Sequence, residues 1–139
     1  METILAPLPL GTSDFSALRK SGQIYVDKTR LIYTLASKRQ KFFLSRPRRF
    51  GKSLLLSTFE SLFKYGLRDF HGLEIESLWK DENTYQVIRL DFSNLKDFSS
   101  VEEFSELLDQ YLLDTLTVNR LVSPIKTDKE GLRAFIGWL

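Results

Sequence analysis

The sequence predicts an α/β fold in which strands alternate with helices around a mostly parallel sheet. Three observations carry this expectation. Apolar runs at residues 41–45 and 85–92 have the length and composition of strands. Stretches with apolar side chains at helical spacing lie between and after them. The first run also leads through a tight loop into Gly51-Lys52-Ser53, where one of those helices opens.

In chain order, residues 13–19 suit a short helical turn and residues 23–26 a short strand. Asp27 can cap a helix over 28–37, with Leu31, Ile32 and Leu35 on one face. Residues 41–45 then make the first core strand. In the helix over 51–65, Leu55, Phe59 and Leu62 follow i, i+4, i+7 spacing, and Leu56 and Phe63 widen the stripe. Gly66 stands where its C-cap belongs. Residues 73–79 give no decisive pattern, and Asp81-Glu82-Asn83 marks a turn before the second strand at 85–92. Ser99-Ser100-Val101-Glu102-Glu103 holds overlapping capping boxes. The helix they open carries Val101, Phe104, Leu108, Tyr111, Leu112 and Thr115 on one face. Thr127-Asp128-Lys129-Glu130 opens a last helix in the same way, and it reaches Leu139 with no stop signal.

A strand, a tight loop and a helix start carrying Gly-Lys-Ser form the arrangement of a phosphate-binding loop. Helix-opening amides have no intrahelical partner and point at an anion. Lys52 can stabilise the charge of the phosphates, and the Ser53 hydroxyl can ligate Mg²⁺. The expected cofactor is ATP with Mg²⁺, held by Arg46, Pro47, Arg48, Arg49, Phe50, Gly51, Lys52, Ser53 and Leu54. The pattern G-x-x-x-x-G-K-[ST] asks for glycine where Arg46 stands. Glycine there permits positive φ; an arginine needs another route through the turn, which Pro47 stiffens. A bare Gly-Lys-Ser can be a chance tripeptide at a helix start. The apolar run before it and the amphipathic helix after it make phosphate binding the stronger reading.

The string Phe43-Leu44-Ser45-Arg46-Pro47-Arg48-Arg49-Phe50-Gly51-Lys52-Ser53-Leu54 resembles the signature of the AAA-ATPase-like family. These are microbial P-loop proteins whose ATPase domain is often followed by a PD-(D/E)XK nuclease-like domain. Leu10-Gly11-Thr12-Ser13-Asp14-Phe15 and Tyr25-Val26-Asp27-Lys28-Thr29 are similar to the family's N-terminal block. Phe70-His71-Gly72-Leu73-Glu74-Ile75 and Val87-Ile88-Arg89-Leu90-Asp91-Phe92-Ser93 follow in order and rough spacing. The family itself places arginine at the first glycine position of the motif, so Arg46 becomes a family mark. The resemblance implies a P-loop NTPase-like three-layer sandwich with a mostly parallel sheet, incomplete at the C-terminus. Residues 1–139 would then be the N-terminal part of a P-loop AAA-ATPase-like domain.

The resemblance implies an ATPase, but its Walker B acid lies in a later Ile-Asp-Glu-type strand, and no such strand precedes Leu139. Asp91 is the strand-end acid available as a metal ligand beside Ser53; alternatively it ends the strand and bonds nearby backbone, as Asp-x-Ser segments do. Hydrolysis is therefore expected only in a longer parent protein. A missing central strand would leave the sheet with an unpaired edge, through which the chain would self-associate.

Composition sets outer limits. Hydrophobic residues make up 42% and charged residues 27%, which is ordinary globular material for one domain. With no cysteine there is no disulfide framework and no thiol chemistry, which fits a cytoplasmic location. No apolar run approaches the ~20 residues of a membrane span, and a soluble chain with no membrane partner is expected. The net charge of +2 hides an asymmetry: residues 1–59 hold 11 Lys/Arg against 3 Asp/Glu. Lys38, Arg39, Lys41, Arg46, Arg48, Arg49 and Lys52 fall within one short basic stretch. Such a field favours polyanions, so a non-catalytic nucleic-acid-binding module is the alternative function. His71, the sole histidine, lacks the partners of a metal site or triad. Asp27 and Lys28 read first as a cap and pair at a helix start and second as nucleotide contacts. Trp79 and Trp138 read as packing residues.

Overall fold

The computed structural model describes residues 6–38 and 40–119. They form helices α1 (Phe15–Lys20), α2 (Thr29–Ser37), α3 (Lys52–Tyr65), α4 (Ile75–Leu78) and α5 (Val101–Val118), with 3-10 turns at Gly66–Asp69 and Phe92–Asn94. The chain divides into two compact units, one ending at Val87 and the other beginning at Ile88.

No strand forms among the described residues, which corrects the predicted three-layer α/β sandwich with its parallel sheet. Residues 23–26, 41–45 and 85–91 lie outside any helix but pair with no neighbouring strand. Their backbone bonds go elsewhere: the Ile24 amide donates to the Pro7 carbonyl at 2.9 Å, and the Tyr85 amide to the Phe63 carbonyl at 2.7 Å. Strand propensity describes how a side chain fits a pleated surface; without a partner to supply the ladder it leaves only extended chain. The apolar side chains of 41–45 are consequently exposed, Phe43 at 94%.

In the first unit, α1 is capped by Asp14, whose carboxylate accepts from the Ala17 amide at 2.7 Å. It lays Phe15 and Leu18 against α3, and both are fully buried. The face that α3 buries deepest is Ser57, Thr58, Ser61 and Leu62, while Leu55, Phe59 and Phe63 of the predicted stripe are less deeply placed and Leu56 is exposed. Small side chains there allow close packing, and the Ser57 hydroxyl bonds α1 directly. Ser57 Oγ accepts from the Phe15 amide at 2.9 Å and donates to the Ser13 carbonyl at 3.1 Å. The rest of the core is aromatic, with Phe15 tilted on Phe70 at 4.7 Å and Trp79 edge-on to Phe63 at 5.9 Å. Gly66 closes α3 at φ 62, as a C-cap glycine does.

Two carboxylates fasten this unit. Asp69, buried at the end of the 3-10 turn, accepts from Ser61 Oγ at 2.7 Å, from Arg68 Nη2 at 2.9 Å and from the Ser16 hydroxyl. The Arg68 guanidinium, followed by the two hydroxyls, holds its carboxyl well below the usual carboxylate range despite burial. Asp27 accepts from the Thr29 amide and hydroxyl at 2.8 and 2.7 Å and from the Glu74 amide at 2.8 Å. Desolvation pushes its carboxyl up, but these bonds together outweigh it and the net shift is downward. The Thr29 hydroxyl also accepts from the Ile75 amide at 3.1 Å, so the start of α4 is tied to the start of α2.

In the second unit, the predicted capping box appears at α5. The Glu103 amide donates to Ser100 Oγ at 3.1 Å, and Glu103 reaches back to accept from the Ser99 amide at 2.8 Å. Phe98 packs on Phe104 at 4.9 Å and Phe92 on Tyr111 at 5.9 Å, while Leu116 is buried and Val101 is exposed. The predicted helix from Thr127 and the packing role of Trp138 lie outside the described residues.

Candidate functional site

The loop of residues 46–51 ends at the first turn of α3, as the motif requires. Gly51 is the N-cap, at φ 74 and ψ 15, and a Cβ placed on it would meet nothing within 4 Å. A side chain would be strained there by φ alone. Arg49 also adopts positive φ, at 65, and is the one non-glycine residue to do so among those described. The motif does not signal this second left-handed position, because it points to glycine at Arg46. Alternating left-handed positions turn successive amides toward one side of a loop, which makes an anion-binding concavity. The cost of the Arg49 conformation is of order 1 kcal/mol, and it marks where this loop departs from an ordinary turn.

Lys52 opens α3, and its Nζ donates to the Arg46 carbonyl at 2.7 Å. The lysine thus folds back across the loop it follows. The first turn of α3 contains no acid and its cap makes no side-chain hydrogen bond, so the positive end of the helix is uncompensated. Ser53 is exposed, and Leu54 is half-buried against the core. Arg46, Pro47, Arg48, Arg49 and Phe50 are all exposed, and the three arginine side chains make no hydrogen bond or ion pair among the described residues.

α3 is held by contacts that sequence reasoning missed. Ser57, one turn beyond the loop, bonds α1, and the Thr58 side chain meets the Tyr25 hydroxyl. Desolvation raises the Tyr25 hydroxyl above its ordinary pKa. The signal was present in the run Ser57-Thr58 and in Ser61, polar residues on a face too close to the core to be solvated.

Asp27 is fully engaged at the starts of α2 and α4, and Lys28 is exposed beside it. His71 is exposed, with Nδ1 at 3.0 Å from Glu76 Oε1. Asp91 belongs to the second unit, where its carboxylate accepts from the Ser93 amide at 2.9 Å and caps the 3-10 turn. The bonds from Ser93 hold it below the usual carboxylate range. Among the described residues no group of three or more His, Cys, Asp or Glu is placed to hold a metal ion. No helix among them is long and apolar enough to cross a membrane.

Residues 9–132 match the family described as "Predicted AAA-ATPase". The chain belongs to this AAA-ATPase-like family. It is also similar to an "Uncharacterized protein in vnfD 5'region" of Azotobacter chroococcum mcd 1, at 33% identity over 133 residues. That match covers 95% of this chain and 25% of the relative, so the chain spans about a quarter of the relative's length. No solved structure matches the chain. Membership of an AAA-ATPase-like family points to nucleotide binding and directs attention to the loop before α3.

Proposed function

We propose that this chain binds a nucleoside triphosphate, ATP with Mg²⁺, through the loop of residues 46–53 at the start of α3. The observation that carries the reading is the Lys52 Nζ bond to the Arg46 carbonyl, beside left-handed turns at Arg49 and Gly51. It sets an ammonium group beside a loop whose left-handed positions suit an anion-binding concavity. The residues fit the ligand: a helix start free of acid, a lysine that can exchange a carbonyl for a phosphate oxygen, and an exposed serine hydroxyl. The Ser53 hydroxyl would be the residue to hold Mg²⁺, whose charge would offset that of the phosphates. Asp91, in the second unit, caps its own 3-10 turn through the Ser93 amide. Hydrolysis would require, in addition, an acid to fix Mg²⁺ and a group to orient water.

Arg46, Arg48 and Arg49, exposed and with no side-chain partner among the described residues, favour one other reading, a basic grip on nucleic acid. Salt separates the two. Binding through several backbone phosphates weakens steeply between about 50 and 200 mM salt, by about 10³-fold or more. A loop site for one triphosphate depends on Mg²⁺ and changes far less. Titrating the chain with ATP and with a single-stranded oligonucleotide across that range is the test. Mg²⁺-independent binding of the oligonucleotide alone would refute the triphosphate reading.

A further inference from the structure

A cavity of about 450 Å³, within the span of small-molecule sites, is lined by residues of the first unit alone. Four aromatic side chains line it: Tyr33 from α2, Phe63 from α3, and Trp79 and Tyr85 from the segment after α4. No residue of the loop 46–53 takes part. The rings of Trp79 and Tyr85 each stand nearly at right angles to that of Phe63, at 78° and 86°, with centroids 5.9 and 5.8 Å from it. The Tyr85 amide bond to the Phe63 carbonyl, at 2.7 Å, ties the two backbones that carry these rings. Trp79 is buried, and its Nε1 has no hydrogen-bond partner among the described residues, so packing orients the indole. Asp81 also lines the cavity, and its Oδ2 accepts from the Tyr85 hydroxyl at 2.6 Å. Its Oδ1 accepts from the Asn83 amide and side chain at 3.0 and 2.8 Å, which holds the carboxylate in place.

We infer that this cavity binds an organic cation, a methylated ammonium group. The inference stands apart from the triphosphate reading and does not rest on it. Aromatic rings carry negative charge on their faces and attract cations, and a methylated ammonium group presents its charge on a rounded, weakly hydrated surface. Rings set at right angles suit that shape. A flat ligand would stack on one ring and meet the edge of the next, whereas a rounded group can touch several rings at once. By donating to Asp81, the Tyr85 hydroxyl leaves its own ring richer in electrons. The Asp81 carboxylate adds a formal negative charge beside the rings, where it is screened less than in bulk water. Lys80 is the one opposing charge in the lining; it is exposed, and its long stem can follow the wall while its ammonium reaches water.

Two sources carry such a group: a free small molecule of the choline type, and a methylated lysine side chain of another protein. Both present the same trimethylammonium head on an alkyl stem, and the cavity is large enough to take part of the stem as well.

Calorimetric titrations of the 139-residue chain with choline, with acetylated trimethyllysine amide and with dimethylbutanol, the neutral carbon isostere of choline, test the inference. The tighter of the two cations should bind at least about tenfold more tightly than the isostere. Whichever cation binds more tightly identifies the source, and either order supports the site. Tyr85 is 39% exposed, so Tyr85→Leu removes a ring without emptying the core. It should weaken binding of the cation about fivefold, and Tyr85→Phe, which keeps the ring, should stay within about threefold of the parent. Asp81→Asn should weaken the cation about fivefold and leave the isostere unchanged. Cross-relaxation from the N-methyl protons to the rings of Tyr33, Phe63 and Trp79 in the parent chain gives a readout that needs no variant. Equal binding of cation and isostere would overturn the assignment, and so would failure of both cations to bind. Cation binding that neither Tyr85→Leu nor Asp81→Asn alters, with no cross-relaxation to these rings, would place the cation elsewhere and also overturn it.

Discussion

Replacing Lys52 by alanine removes the ammonium group that folds back over the loop. Among the described residues its Nζ makes a single bond, to the Arg46 carbonyl at 2.7 Å, and the side chain is otherwise exposed. Water replaces that bond in the variant, so the fold loses no more than about 0.5 kcal/mol, the low end for a net hydrogen bond. Nucleotide binding loses more. A charge-assisted contact to phosphate contributes about 1.5–3 kcal/mol. The Arg46 bond surrendered on binding offsets about 0.5 kcal/mol of it. The remainder, about 1–2.5 kcal/mol, corresponds to roughly 5- to 60-fold weaker binding. Calorimetric titration with MgATP measures this, and thermal unfolding followed by circular dichroism checks that the fold persists. Affinities within about twofold of each other, with unchanged melting, would show that Lys52 does not meet phosphate and would refute the loop assignment.

Arg46→Gly should weaken MgATP binding about threefold or more, because the backbone carbonyl that accepts from Lys52 survives and only the guanidinium is lost; tighter binding by the glycine variant would count against a phosphate role for Arg46. Asp69→Asn should destabilise the first unit by about 2 kcal/mol, since it weakens a buried carboxylate's bonds to Arg68, Ser16 and Ser61. The folded carboxyl titrates below its unfolded value, so its stabilisation is present above the ordinary carboxylate range and is lost as pH falls below about 4. Acid titrations of melting temperature should therefore be flatter for the variant, and identical acid limbs would refute the assignment. The 139-residue chain should hydrolyse MgATP negligibly in a phosphate-release assay, and robust turnover would refute this.

What was legible in the sequence is what local chemistry decides. α3 starts and stops where Gly51 and Gly66 place it, because each end depends on one residue's tolerance of positive φ. α5 starts at its capping box, where Ser99, Ser100 and Glu103 bond one another. The strands were not legible in the same sense, since residues 41–45 and 85–92 carry the propensity but a ladder needs a partner that propensity cannot supply. α4 was missed because its first amides are satisfied by Thr29 and Asp27, 46 and 47 residues earlier. At the site, the motif located the loop and Lys52. The left-handed turn at Arg49 and the lysine's bond back to Arg46 follow from how the loop closes, which no motif records.

Asp69 also bears on the order in which this chain folds. Its bonds to Ser61 and Arg68 span eight residues and one, whereas those to Ser16 and Arg19 span 53 and 50. The short-range pair can form as soon as α3 and its 3-10 turn exist. The long-range pair must first close a loop of about fifty residues, at an entropic cost that grows only logarithmically with length. Asp69 is thus a clock between two stages: a local hairpin of α3 and its turn, then docking of α1. Removing the Ser61 hydroxyl should slow refolding, and removing the Ser16 hydroxyl should instead hasten unfolding. Stopped-flow measurements on Ser61→Ala and Ser16→Ala read the two limbs separately, and equal effects of both variants on refolding would show that α1 docks in the same step that forms α3.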